Sequence, residues 1–180
     1  GYGRNIECLE VFSKSSAPQI FHGLADMLDA LSERENLWLP DKSWITPWRE
    51  RSLLNLSPLP PKFPDSPLLV HSAREPIGDQ IIELIQSIGG VSEVRVLSPF
   101  FCPNANGIID FTEKLGCNKL TVGRIPSREN DTSFPFPNTR ESSVIIQAAV
   151  ISCPDDSRSL HAKWFEIILH SGEIIIVSGS

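Results

Sequence analysis

The chain contains two neighbouring aliphatic runs, LHAKWFEIIL at residues 160–169 and EIIIVSGS at residues 173–180. Isoleucine, valine and aromatic residues favour strands, and the His-Ser-Gly between the runs is typical of a turn. We therefore expect a hairpin of two strands. Because alternate side chains of a strand share a face, His161 and Lys163 are predicted to lie side by side.

The polar residues of this predicted hairpin are suited to a phosphate site. A lysine supplies a point positive charge, and a histidine can attack phosphorus or transfer a proton. The second run ends in Ser178, Gly179 and Ser180, where backbone N–H groups could approach the same phosphate. His161 and Lys163 are accordingly the candidate catalytic residues, and the Ser-Gly-Ser end is a candidate substrate-binding segment.

Patterns typical of helices and of strands alternate through the rest of the chain. Apolar residues recur at helical spacing after Pro18 and after Pro76, and aliphatic runs bounded by turn residues indicate strands. This alternation predicts an α/β fold with a mixed, mostly parallel sheet flanked by helices on both faces. The predicted strands are residues 6–12, 67–71, 94–98, 119–124, 144–151 and 159–169, and the predicted helices are residues 18–34, 76–88 and 108–115.

The ends of three predicted strands carry polar residues. In α/β sheets, ligands bind at the carboxyl ends of the strands. His71, Ser98 and Arg124 stand at such ends. We therefore expect them to lie near one another, and His71 and Ser98 join the candidate substrate-binding residues.

Residues 39–67 are dense in proline and contain or adjoin three tryptophans, Trp38, Trp44 and Trp48. Proline fixes the backbone and removes a hydrogen-bond donor, so this stretch is predicted to be a long irregular segment. We expect its tryptophans to pin it to the core. A loop of this length can also serve as a lid or a partner surface.

The overall composition excludes several classes of protein. The net charge of −6 argues against a generally basic nucleic-acid surface. Four cysteines without a CxxC pair indicate neither a zinc site nor a disulfide framework, so we expect reduced thiols in a cytoplasmic protein. Asp155 and Asp156 are better explained by a solvated turn than by a metal site. No apolar run approaches the length of a membrane helix.

Two motifs together resemble a known family. His161-Ala-Lys163 followed by Gly179-Ser180 resembles the HxK...GS half-site of the phospholipase D superfamily, and residues 98–101, Ser-Pro-Phe-Phe, are similar to the Ser-Pro-Tyr/Phe-Phe strand end of many members. The resemblance implies a phospholipase D-like half-domain over residues 67–180. Residues 1–66 would supply a strand, a helix and a Pro/Trp-rich cover, packed with it as one globular unit.

The resemblance also implies an activity. Members cleave or exchange phosphodiester bonds: one histidine forms a phosphohistidine, and the histidine of a second half-site protonates the leaving oxygen. Lys163 would neutralise the phosphoryl oxygens, and no metal or cofactor is required. The second half-site is expected from residues beyond Ser180 or from a homodimer. Nucleic acid is slightly favoured over phospholipid, because no basic amphipathic stretch is present to hold a bilayer.

This chain departs from the family pattern at one position. The fuller motif is HxKxxxxD, and Ile168 stands where the aspartate is expected, while Glu166 is at a different spacing. Two alternatives therefore stay open. The chain could be a binding module for phosphate or nucleic acid that keeps the fold without turnover. It could also be an unrelated α/β protein in which the His-Ala-Lys sequence is a coincidence.

Overall fold

Helices and strands alternate along most of the chain in the computed structural model. The structure describes residues 5–6, 17–34, 42–56, 67–98, 101, 105–124, 142–150, 159–160 and 163–179. The elements are β1 (Asn5–Ile6), α1 (Pro18–Glu33), α2 (Ile45–Leu53), α3 (Ile77–Ile88), β2 (Val91–Leu97), α4 (Asn106–Lys114), β3 (Lys119–Arg124), β4 (Ile145–Val150), β5 (Ser159–Leu160), β6 (Lys163–Leu169) and β7 (Ile174–Gly179).

The chain divides into two units. The sheet unit comprises Gly1–Leu9 and Ile82–Ser180, and the helical unit comprises Glu10–Ile81. The division falls inside α3, whereas the sequence placed its boundary between residues 66 and 67. Residues 67–81 therefore belong with α1 and α2 rather than with the strands.

A five-stranded mixed sheet is the centre of the sheet unit, in the order β4-β3-β2-β6-β7. Strands β2, β3 and β4 are parallel, and β6 and β7 are added as an antiparallel hairpin beside β2. The predicted α/β class, the mixed sheet and the hairpin are confirmed. The predicted strand at residues 119–124 has the same bounds as β3. The short strands β1 and β5 form a separate parallel pair.

Alternation along the strands buries one side of this sheet, which we call the inner face. Val94 pairs with Leu120 on one neighbouring strand and with Ile167 on the other, and all three are fully buried. Helix α4 covers this face, because the ring of Phe111 lies 6.1 Å from the ring of Phe165 in an edge-to-face arrangement. Each such buried aliphatic side chain contributes about 1.5–3 kcal/mol to stability.

The opposite side of the sheet, the outer face, is exposed. Ile145, Ile174 and Ile176 on the two outermost strands are each more than half exposed.

Helix α3 lies with α4, because the Gln86 side-chain amide donates a hydrogen bond to the Lys114 carbonyl oxygen (3.1 Å). Helix α4 covers the inner face. The prediction of helices on both faces stays a prediction.

The proline-rich stretch contains a helix that the sequence did not predict. Helix α2 lies within the segment predicted to be irregular, and it buries Ile45 and Ser52. Trp44, which caps the helix, and Trp48 are nevertheless 41% and 55% exposed. The prediction that these two tryptophans pin the segment to the core is therefore wrong, while Trp38 lies outside the described residues.

The predicted strand at residues 67–71 is not formed. These residues have no regular structure, and Leu68 is exposed. Leu69 instead packs against Gly23 of α1, where an added Cβ would come within 2.9 Å of the Leu69 carbonyl oxygen. The apolar run therefore contacts a helix through its backbone rather than pairing in the sheet. The turn predicted at Asp155 and Asp156 falls outside the described ranges.

Candidate functional site

One end of the sheet brings together several of the predicted site residues. Lys163 and Gly179 are paired across the β6–β7 hairpin, with Ser178 immediately before the glycine. Strand β2 ends at Leu97, which pairs with the residue after Lys163, so that Ser98 follows at the same end of the sheet. We call this end the carboxyl edge, because the parallel strands have their carboxyl ends there.

The two remaining parallel strands reach the same edge. Arg124 is the last residue of β3, and it pairs with the last residue of β4. The β2–α4–β3 crossover also brings the first turn of α4, at Asn106, to this edge. A helix N-terminus carries a partial positive charge and favours anions. The capping residue, Ala105, adopts a left-handed backbone conformation and makes no side-chain capping bond. The backbone geometry of the edge therefore suits an anionic ligand.

Side-chain direction separates the predicted residues into two groups. Lys163 shares its face with Phe165 and the buried Ile167, so it belongs to the inner face, and it is half-buried. Ser178 pairs with Trp164, and its exposed side chain belongs to the outer face. The structure thus brings Lys163 and Gly179 to one row of the sheet, whereas the Ser178 side chain lies on the opposite face.

Two of the predicted residues lie outside the part of the chain that the structure describes. These are His161, two residues before Lys163, and Ser180, which follows Gly179. The prediction that His161 and Lys163 share a face therefore stays a prediction.

His71 has a different environment from the one predicted. Its Nε2 lies 3.0 Å from the Asp26 Oδ2, and its Nδ1 accepts a hydrogen bond from the Ala73 backbone N–H (3.3 Å). Nε2 therefore carries the hydrogen and donates a hydrogen bond to the carboxylate. Asp26 also contacts Arg74, so these bonds tie the segment after residue 67 to α1. Because residues 67–71 form no strand, His71 does not stand at the end of one.

Sequence reasoning missed a charged cluster at the middle of the outer face. Glu93 accepts hydrogen bonds from Arg95 Nε (3.1 Å), Lys119 Nζ (3.0 Å) and Thr121 Oγ1 (2.8 Å). Arg95 also reaches the Glu166 carboxylate at 3.4 Å. Alternation along β2 places Glu93 and Arg95 together, but their cross-strand partners follow only from the register with β3 and β6.

This cluster holds Glu93 in its charged form. The hydrogen bond from Arg95, helped by those from Lys119 and Thr121, lowers the pKa of Glu93 to about 2, even though burial opposes ionisation. Glu93 in turn raises the pKa of Arg95. A carboxylate with so low a pKa cannot act as a proton donor near neutral pH. The cluster is therefore an element of the sheet's stability rather than a source of acid–base chemistry.

Glu166 does not take the place of the missing aspartate beside Lys163. Its carboxylate lies on the outer face, 3.4 Å from Arg95 Nη1 and 3.5 Å from Trp164 Nε1. Lys163 belongs to the opposite face, three residues earlier on the same strand. Ile168, at the position of the family aspartate, pairs with Glu93 and Ile174. The described residues therefore provide no acidic side chain from β6 on the Lys163 face.

The other chemistry that the described residues could support is limited. Within the described ranges, no three histidine, cysteine, aspartate or glutamate side chains are grouped so as to hold a metal ion. In the same ranges, no helix has both the length and the apolar character needed to span a membrane. The chain matches no protein-family model, no curated protein and no solved structure.

Proposed function

We propose that the carboxyl edge binds a phosphodiester and forms one half of a phosphodiesterase active site of the phospholipase D type. The observation that carries this proposal is the pairing of Lys163 with Gly179 at the edge where β2, β3 and α4 also converge. A cation beside a glycine-containing strand end offers charge and accessible backbone N–H groups to one phosphate. Ser98, which follows β2, adds a hydroxyl group to the same edge.

In the proposed reaction, His161 attacks phosphorus through a ring nitrogen, and the bond from phosphorus to the leaving oxygen breaks. The histidine of a second half-site gives its proton to that oxygen. The same residue then removes a proton from water, which attacks the phosphohistidine and restores His161. Lys163 stabilises the negative charge on the non-bridging oxygens throughout.

The proposed substrate is a nucleic-acid phosphodiester rather than a phospholipid. A second half-site is required, and it is supplied either by further chain beyond Ser180 or by a second copy. One observation favours an alternative to turnover: Ile168 stands in place of an acidic residue, and Glu166 lies on the face opposite Lys163. In that alternative, the edge binds a phosphate or nucleic acid without turning it over.

A binding and turnover measurement on residues 1–180 tests the proposal. We expect bis-p-nitrophenyl phosphate to shift the backbone amide NMR signals of Lys163 and Gly179 in a monomer, without release of p-nitrophenol. Lys163→Met should weaken this binding about tenfold or more, because it removes the cation at the phosphate. Lys114→Met is the matched control, since Lys114 ends α4 away from the first turn of that helix, and it should leave binding unchanged.

Two results would count against the proposed edge. Amide shifts confined to residues away from the carboxyl edge would place the phosphate elsewhere. Sustained hydrolysis by a demonstrated monomer would contradict the requirement for a second half-site.

A further inference from the structure

Strand β7 forms one edge of the five-stranded sheet, and among the described strands it pairs with β6 alone. Its sequence, IIIVSG, contains no charged residue and no proline. It therefore lacks the residues that usually keep an edge strand from pairing with another chain. Ile174 and Ile176 are also more than half exposed. Strand β7 is thus an open edge to which a further strand can be added.

The hairpin register determines which backbone groups of β7 point away from β6. The Leu169 N–H donates to the Glu173 carbonyl oxygen (2.9 Å), so these two residues form a hydrogen-bonded pair. Hydrogen-bonded and non-hydrogen-bonded pairs alternate along an antiparallel ladder. Ile174 and Ile176 therefore fall in non-hydrogen-bonded pairs, and their N–H and carbonyl groups point outward from the sheet. Such a row of donors and acceptors is suited to an extended chain.

A second copy of β7 fits this edge. In an antiparallel pairing about a two-fold axis, residues that lie opposite each other must belong to the same face of the joined sheet. Under that condition the overlap of the two strands is greatest when Ile176 lies opposite the partner's Ile176. The outward backbone groups of the two residues then bond to each other, and their exposed side chains become neighbours. No two charged residues lie opposite each other in this register.

The same register brings opposite charges together. Glu173 pairs with Leu169 and so belongs to the inner face, as Lys163 does. In the two-fold pairing, the partner's Glu173 lies opposite Gly179, which itself pairs with Lys163. The lysine and the partner's Glu173 are then two strand spacings apart, about 10 Å between Cα atoms. The glycine between them has no side chain, so the ammonium and the carboxylate can meet over it. This charge match favours a second copy over an unrelated peptide.

We propose that two copies of the chain join by antiparallel pairing of their β7 strands, with Lys163 of each copy paired with the partner's Glu173. The partner then supplies an acidic side chain on the Lys163 face, where the described part of β6 provides none. The two carboxyl edges lie at opposite ends of the joined sheet, so this pairing does not supply the second half-site. The proposal holds whether or not the carboxyl edge binds a phosphodiester.

Sedimentation velocity at increasing protein concentration tests the proposal, because it measures association with no phosphodiester present. We expect an equilibrium between monomer and dimer. Ile176→Lys places two like charges opposite each other at the two-fold axis, so it should weaken the dimer about tenfold or more. Ile145→Lys is the matched control. Ile145 is similarly exposed but lies on β4 at the other edge of the sheet, so this variant should associate as the parent does.

Exchange of the two charges tests the register. Glu173→Lys and Lys163→Glu should each weaken the dimer about tenfold or more, because each change places like charges together twice in a symmetric dimer. The double variant Lys163→Glu/Glu173→Lys should restore the parental association. A parent chain that stays monomeric at NMR concentrations would overturn the proposal, and so would a dimer that Ile176→Lys leaves intact. A double variant that associates no better than either single variant would overturn the pairing of Lys163 with the partner's Glu173.

Discussion

Replacing His161 with asparagine is expected to lower kcat by about four orders of magnitude in a protein that contains both half-sites. Asparagine keeps a polar side chain of similar reach, but it cannot form the covalent bond to phosphorus. Substrate affinity should stay nearly unchanged, because the lost interaction belongs to the reaction and not to binding. Steady-state kinetics on a phosphodiester substrate measure both quantities.

Lys163→Met should behave differently in the same assay. In the proposed reaction the lysine charge acts on the bound phosphate and on the transition state alike, so KM should rise and kcat should fall. Lys114→Met again serves as the control. Acid quenching with labelled substrate should trap a phosphohistidine in the parent protein. A His161→Asn variant with parental rates would make this histidine structural, and an adduct on another histidine would make His161 the general acid.

The second large effect concerns the Glu93 cluster. Glu93→Gln should destabilise the sheet unit by about 2–3 kcal/mol, because it leaves Arg95 and Lys119 beside a neutral amide. Glu166→Gln is the matched control: Glu166 is more exposed than Glu93 and makes one long contact to Arg95, so its loss should cost about 1 kcal/mol or less. Urea unfolding followed by circular dichroism compares the two variants. An equal loss of unfolding free energy in both variants would show that the cluster does not depend on Glu93 more than on Glu166.

The same cluster predicts how stability depends on acid. Because the pKa of Glu93 is lowered from 4.5 to about 2 on folding, its contribution is fully present above the unfolded value. That contribution is lost as the pH falls through the interval from about 4.5 to about 2. We expect about 2 kcal/mol of pH-dependent stability in this range, reduced from the full linkage value because Arg95 and Lys119 are partly exposed. Glu93→Gln should flatten the dependence of the unfolding free energy on pH in this interval. A variant whose curve runs parallel to that of the parent would contradict this assignment.

The parts of the fold that the sequence predicts correctly are those in which local pattern and tertiary packing agree. The hairpin of β6 and β7 follows from two aliphatic runs around a turn, and β3 follows from a short run between turn residues. Residues 67–71 show the opposite case, since an equally apolar run packs through Leu69 onto Gly23. An apolar run indicates that a segment is buried, but it does not indicate which helix or strand the segment packs against.

Helix α2 lies in a proline-dense stretch, but it contains a single proline at a position that a helix tolerates. Pro47 is the third residue of the helix, a first-turn position where the missing N–H would have had no helical partner. The burial of Ile45 and Ser52 then decides which side faces solvent. The side of α2 that faces solvent depends on packing against α1, so the sequence of α2 alone does not predict it.

The candidate site likewise contains some features that the sequence predicts and others that it does not. The pairing of Lys163 with Gly179 could be anticipated from the hairpin. The placement of Ser178 on the other face follows from alternation along β7, once that register is known. The cluster around Glu93 could not be anticipated, since its partners Lys119 and Thr121 are brought there by the parallel register of β2 with β3.

The strand connections also determine the order in which the parts of the carboxyl edge form during folding. The β6–β7 hairpin closes over a turn in which Gly172 adopts a positive φ of 89°, and such local pairings form in about 1–10 μs. Pairing of Leu97 with Trp164 must instead close a loop of many tens of residues, which carries a larger entropic cost. Lys163 and Gly179 should therefore meet first, and pulse-labelled hydrogen exchange would detect early protection of their strands. Ser98 reaches them only when the slower closure is complete, so the carboxyl edge is completed among the last events of folding.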